Sequence, residues 1–108
     1  MTTIEDFLGD ASRSAPPADA GPALQALWWA RRGDWDRAHN TVQPHEGDPA
    51  CDWVHAHLHR QEGDAENADY WYQRSGHPHA ASPLADEWDG IATALLAEGS
   101  PAPSGRGG

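Results

Sequence analysis

The sequence places three histidines, an arginine and a glutamate within roughly two turns of one expected helix. These residues are His55, His57, His59, Arg60 and Glu62. Because an α-helix advances about 100° per residue, His55 and His59 share one face and Glu62 follows one turn later, whereas His57 points away from them. Two imidazoles four residues apart and a carboxylate form a feasible ligand set for zinc or iron. The spacing therefore predicts a metal site made of His55, His59 and Glu62.

The same helix and the one after it also carry side chains suited to binding a small polar molecule or a peptide. The candidate binding residues are Trp53, His57, Arg60, Asn67, Tyr70, Trp71 and Arg74. Arginine forks, an amide and a phenol are groups that recognise a carboxylate or a peptide terminus. A structural role competes with both interpretations, since histidines can pack inside a helical domain and arginines can cap helix C-termini. The residue types leave all three interpretations open.

The six tryptophans and the remaining histidines divide by their position on the expected helices. Trp28, Trp35 and Trp88 lie on apolar stripes, so we expect them in the core. The tryptophans that fit those stripes less well are candidates for lining a groove: Trp29, Trp53 and Trp71. The histidines expected at helix ends or in loops, as exposed polar residues, are His39, His45, His77 and His79.

Cys51 is the single cysteine, so the chain forms no intrachain disulfide and no cysteine-based zinc site. It lies in the first turn of an expected helix, four residues before His55. Asp48 and Asp52 beside it disfavour a reactive thiolate. The sequence has no glycine-rich phosphate loop and no dinucleotide fingerprint. No catalytic residues are predicted, and a binding role is favoured over an enzyme.

The charge balance argues against several classes of partner. The chain has 17 acidic residues against 7 arginines, no lysine, and a net charge of −10. Nucleic acids and anionic membrane surfaces need clustered positive charge, so neither is predicted as a partner. No apolar run approaches the ~18 residues of a membrane span, and the N-terminus lacks the pattern of a signal peptide. We therefore expect a cytoplasmic protein.

Prolines and aspartates at regular intervals predict five main helices. Pro22, Pro49 and Pro83 suit the first turns of the first, third and fifth helices, while Asp34, Asp48 and Asp64 suit the N-caps of the second, third and fourth. Ser82 is the expected cap of the fifth helix. The expected organisation is a short N-terminal helix with an Ala/Pro linker over residues 1–21, a helical domain over 22–97 and a disordered tail over 98–108.

Two stretches of the chain repeat each other at an offset of 63 − 33 = 30 residues. They are Arg32–Ala38, RGDWDRA, and Glu62–Ala68, EGDAENA, and each joins the end of one expected helix to the start of the next. This pattern resembles the tetratricopeptide repeat, whose usual spacing is about 34 residues. The resemblance implies an all-α fold of two helical hairpins in a right-handed α–α array, followed by a C-terminal capping helix. It also implies a groove that binds a protein or a peptide.

Two functional hypotheses follow from these features. The favoured one is a small cytoplasmic interaction module that binds a protein or peptide partner, or a second copy of itself. The alternative is a metal-binding protein or small metalloenzyme that holds zinc or iron through His55, His59 and Glu62. The first depends on exposed aromatic and arginine side chains, whereas the second depends on the histidine cluster.

Overall fold

The computed structural model describes residues 3–98, and every regular element in that range is helical. Helix α1 covers Ile4–Leu8, α2 Pro22–Arg31, α3 Trp35–Val42, α4 Pro49–Gln61, α5 Ala65–Ser75 and α6 Leu84–Ala97, and a 3-10 turn over Gln43–His45 follows α3. The all-α prediction is confirmed. None of these helices is long and apolar enough to cross a membrane. Nearly all of the tail expected over 98–108 lies outside the described residues.

Aspartate caps open three of the helices, as predicted. The side chains of Asp34, Asp48 and Asp64 each accept a hydrogen bond from the backbone N–H three residues further on. The first turn of a helix leaves its N–H groups without partners inside the helix, and each cap satisfies one of them. The sequence therefore determines where α3, α4 and α5 begin.

The expected cap of the last helix is wrong by one residue. Pro83 occupies the N-cap position of α6 with an extended ψ of 151°, and it offers no side-chain cap. The backbone at Pro83 is not yet helical, so Ser82 is too far from the first turn to cap it. The carbonyl oxygen of Ser82 instead accepts a hydrogen bond from the guanidinium of Arg60.

The two repeated stretches fold into turns of the same geometry. Gly33 and Gly63 adopt φ values of 82° and 85°, a conformation that residues with a Cβ adopt only at a cost. The backbone N–H of the next residue, Asp34 or Asp64, bonds the carbonyl oxygen five residues back, at 3.0 Å in the first turn and 2.9 Å in the second. Each turn reverses the chain, so α2 pairs with α3 and α4 pairs with α5.

Helix α4 lies at the centre of the fold and contacts α2, α3, α5 and α6. Its residues from Cys51 to His59 are buried, apart from the half-buried Trp53. The larger core cluster joins apolar side chains of α1, α2, α3, α4 and α6, and a smaller cluster lies between α4 and α5. A helix covered on several sides buries its polar side chains as well. The histidines of α4 are therefore enclosed by protein.

The N-terminal helix packs on the same core. Phe7 is buried there, with its ring centroid 6.5 Å from that of Trp88. The indole N–H of Trp28 donates to the carbonyl oxygen of Leu8 at 3.1 Å. Arg32 donates to two backbone carbonyls of the linker that follows α1. As far as they are described, the first 21 residues are thus attached to the helical domain.

Candidate metal centre

Three histidines from two helices meet between α3 and α4. His55 and His59 lie one turn apart on α4, and His39 approaches them from α3. The Nε2 atoms of His39 and His55 are 3.0 Å apart, so that without a metal one ring nitrogen donates a hydrogen bond to the other. One ring nitrogen from each of the three histidines lies within 4.8 Å of the other two. The structure thus brings together the two histidines named from the sequence and adds a third.

Two tryptophans stack on the cluster and orient its rings. The indole of Trp35 stacks on His39, with ring centroids 4.7 Å apart and an interplanar angle of 10°. The indole of Trp71 stacks on His55 at 3.8 Å and 13°. His55 and His59 are 3% and 6% exposed, whereas His39 is half-buried. The aromatic contacts restrict ring rotation, and His39 forms the solvent-facing side of the cluster.

Glu62 contacts the outer nitrogen of His59. Its Oε2 lies 2.7 Å from Nδ1 of His59, so the ring N–H donates to the carboxylate. This bond fixes the tautomer and leaves the lone pair of Nε2 available. A carboxylate behind a ligating histidine is a recurring feature of metal sites, where it orients the ring and raises its basicity. The sequence suggests Glu62 as a metal ligand. The structure instead favours a supporting role, in which Glu62 orients the candidate ligand His59.

A second set of three potential ligands shares His59 with Glu62 and Asp64. Both carboxylates are exposed. Asp64 also accepts a hydrogen bond from the backbone N–H of Asn67 as the cap of α5. These two carboxylates are exposed to water and already accept hydrogen bonds from the protein. They are therefore a weaker ligand set than the buried imidazoles. We therefore assign the candidate centre to His39, His55 and His59.

The surroundings favour the neutral forms of His39 and His55. Burial, followed by repulsion from His39 and His59, lowers the pKa of His55 from 6.5 to about 3. Burial and then repulsion from His59 also lower the pKa of His39. Both rings are neutral at physiological pH, and a neutral imidazole is the form that binds a metal. The Nδ1 atom of His55 is buried and has no hydrogen-bond partner among the described residues.

His57 points to the opposite side of α4 and belongs to a different polar cluster. Its Nδ1 lies 2.8 Å from Oε1 of Glu87 on α6. Arg60 donates to the same oxygen at 2.8 Å, and the hydroxyl of Tyr72 donates to Oε2. Burial alone would raise the pKa of Glu87, but the hydrogen bonds from His57, Tyr72 and Arg60 outweigh it and lower that pKa. This Glu87 cluster joins α4, α5 and α6.

The other residues named for partner binding lie elsewhere. Tyr70 is 49% exposed, and the guanidinium of Arg74 lies over the rings of both Tyr70 and Trp71. Trp53 stacks on His77, with centroids 3.6 Å apart. The remaining residue, Asn67, bonds the cap of α5. His57 and Arg60 belong to the Glu87 cluster. The seven candidate binding residues therefore take part in several different contacts rather than in one.

Sequence reasoning placed His39 among the exposed residues and thereby missed a member of the cluster. A signal for it was present, because His39 follows Trp35 by four residues and so shares the inner face of α3. Cys51, by contrast, lies in an environment that disfavours the thiolate, as its acidic neighbours predict. It is buried, and burial followed by the carboxylate of Asp48 raises the pKa of its thiol far above the usual range.

No protein-family model, no curated protein and no solved structure matches this chain.

Proposed function

We propose that the protein binds a divalent transition-metal ion, zinc foremost, through His39, His55 and His59. The observation that carries the proposal is the convergence of three imidazoles from two helices, with two Nε2 atoms 3.0 Å apart. Imidazole nitrogen is a good ligand for zinc, copper, nickel and iron. Zinc comes first because its tetrahedral sites accept three histidines without further protein ligands.

The spacing of the nitrogens suits a tetrahedral ion. Zinc–nitrogen bonds of about 2.0–2.1 Å place two ligand nitrogens roughly 3.3 Å apart in a tetrahedron. The observed separation between His39 and His55 is 3.0 Å. The third nitrogen, from His59, lies within 4.8 Å of the other two, and rotation of its ring would bring it closer to them. Glu62 behind His59 gives the support that such a ligand needs.

Packing and hydrogen bonding are the competing account of the same cluster. The Nε2 atoms of His39 and His55 lie within hydrogen-bond distance, and two of the rings stack on tryptophans. Metal binding would explain in addition why three imidazoles converge beside a carboxylate that engages Nδ1 of His59. A buried metal ligand that lacks its ion leaves polar atoms without partners, and each such atom costs roughly 1–3 kcal/mol.

We also infer that the two hairpins form a tetratricopeptide-like pair which the metal joins. The inference is supported by the matching turns at Gly33 and Gly63. His39 comes from the first hairpin and the other two ligands from the second. A metal bound here would therefore hold one hairpin to the other. The expected role as a cytoplasmic partner-binding module stays a prediction.

Elemental analysis of tag-free protein, purified without chelator and then exposed to zinc, tests the proposal. We expect about one zinc per chain for the wild type, and little for His39→Gln and His59→Gln. The matched control is His45→Ala, because His45 is exposed and lies outside the cluster. Circular dichroism verifies that each variant folds. Wild-type protein that retains no zinc, or folded variants that retain it as well as wild type does, would refute the proposal.

A further inference from the structure

Within the described part of the chain, the candidate centre brings together three protein ligands. Among residues 3–98, the set of convergent metal-binding groups around His39 and His55 is completed by His59 alone. The residues outside that range, Met1, Thr2 and 99–108, contain no histidine, cysteine, aspartate or glutamate. A structural zinc site is almost always closed by four protein ligands, whereas a site with three leaves one position for an exogenous ligand.

Glu62 does not fill the fourth position. Its carboxylate bonds Nδ1 of His59 at 2.7 Å, and the two nitrogens of an imidazole point away from each other. With Nδ1 engaged, His59 has Nε2 left to bind a metal, and such a metal would lie across the ring from the atom that Glu62 contacts. Glu62 would have to release His59 before it could become a ligand itself. The hydrogen bond thus favours a positioning role for this carboxylate.

The cluster has one side that is less buried than the others. His55 and His59 are almost fully buried, and Trp71 covers the ring of His55. His39 and Trp35 are half-buried and form the side nearest to solvent. An exogenous ligand would therefore approach the metal from this side.

The charge of the centre selects the chemistry of that molecule. Three neutral imidazoles leave the two positive charges of the ion uncompensated within the coordination sphere. A partly buried site strengthens the attraction between unlike charges relative to water. We infer that the fourth position takes water that small inorganic anions can replace. This inference rests on the proposed function, since it concerns the same site.

Cobalt(II) substitution separates the inference from the proposal beneath it. Cobalt takes the place of zinc in such sites, and its visible absorption reports its coordination. The protein is loaded with one equivalent of cobalt, freed of excess metal, and titrated with sodium azide. We expect a visible spectrum in the protein fraction and a saturable change with azide that disappears when azide is removed. The controls are cobalt in buffer and His45→Ala.

Each outcome has a distinct meaning. A protein-bound cobalt spectrum that azide changes reversibly, with the metal still bound, supports an exchangeable fourth position. A bound spectrum that azide leaves unchanged overturns this inference while the metal site stands. Loss of cobalt on adding azide also overturns it, because azide then competes with the protein for the metal. Absence of bound cobalt refutes the proposed function and this inference with it.

Discussion

The indole N–H of Trp35 donates to the carbonyl oxygen of Leu58 across 2.7 Å, linking α3 to α4 next to the histidine cluster. The same indole stacks on His39. One residue thus contacts both α4 and the ring of His39. The proposed metal site would depend on this contact, because His39 would otherwise be free to turn toward solvent.

Removal of that hydrogen bond is expected to weaken metal binding while keeping the fold. Trp35→Phe retains an aromatic ring against His39 but loses the N–H. A hydrogen bond of this kind contributes about 0.5–1.5 kcal/mol, so zinc affinity should fall by roughly two- to tenfold. Competition with a chromophoric chelator measures it. The control is Trp29→Phe, since Trp29 lies outside the cluster, and equal affinities of the two variants would contradict the role given to Trp35.

The carboxylate behind His59 is expected to strengthen metal binding without touching the metal. Glu62→Gln keeps the size of the side chain but loses the charge that polarises the imidazole. Loss of such a partner typically lowers metal affinity about 10–100-fold. Glu66→Gln is the matched control, because Glu66 is exposed in the first turn of α5. If both variants bind zinc like the wild type, Glu62 does not support the site.

The metal-free protein should lose stability in mild acid because of His55. Its pKa is about 3 in the fold against an ordinary value of 6.5, so the unfolded chain takes up the proton first as the pH falls. The stabilising contribution is complete above about pH 6.5 and is lost toward pH 3. The lowered pKa of His39 acts in the same direction.

Urea unfolding at several pH values measures this effect. We expect the free energy of unfolding to fall by up to about 1.4 kcal/mol per pH unit from this one residue below pH ~6. His55→Leu should show a shallower dependence than the wild type, whereas His45→Ala should match the wild type. Equal slopes for His55→Leu and the wild type would contradict the assignment of a buried, neutral His55.

The Glu87 cluster is expected to hold α6 on the domain independently of the metal. Glu87→Gln removes a buried charge that accepts hydrogen bonds from His57, Arg60 and Tyr72. We expect a loss of about 3 kcal/mol in unfolding free energy with zinc stoichiometry unchanged. The control Asp86→Asn changes an exposed carboxylate one residue away. A loss for Glu87→Gln no larger than that of Asp86→Asn would refute this role.

Acid should weaken the Glu87 cluster at a lower pH than the pH at which the stabilising contributions of His39 and His55 begin to fall. Hydrogen bonds lower the pKa of Glu87 below the ordinary 4.5. A carboxylate with a lowered pKa contributes stability above its unfolded value, and this contribution is lost as the pH falls through the folded value. The contribution of Glu87 is therefore intact above about pH 4.5. A near-ultraviolet signal from Trp88 that changes above pH 5 in metal-loaded protein would contradict this order.

The sequence was sufficient for the helices because their start and stop signals are local. The caps at Asp34, Asp48 and Asp64 and the turns at Gly33 and Gly63 each depend on a few neighbouring residues. The wrong prediction was Ser82 as the cap of α6. The extended backbone of Pro83 moves the first turn of this helix one residue further along the chain. Local chemistry therefore predicted the caps of α3, α4 and α5 and missed that of α6 by one residue.

The candidate site was less accessible to sequence reasoning because it depends on how helices cross. The spacing of His55 and His59 on one helix was visible, but His39 joins them only through the packing of α3 on α4. Which nitrogen of His59 faces Glu62 was likewise undetermined before the structure. Glu87 lies at helical spacing from Leu84 and Ile91, so its burial could have been predicted from the apolar stripe of α6. Its hydrogen-bond partners could not, because they lie on other helices.

The most direct test of the metal centre is zinc X-ray absorption on the zinc-loaded wild-type protein. The extended fine structure gives the number, type and distance of the ligands. We predict three imidazole nitrogens at about 2.0–2.1 Å and one further light-atom ligand, with no sulfur. The multiple-scattering signal of the wild type should fit three imidazole rings. In the variant His39→Gln, the signal of any zinc that remains bound should fit two. A sulfur ligand at about 2.3 Å, or a shell of mainly carboxylate oxygens, would contradict a centre built from His39, His55 and His59.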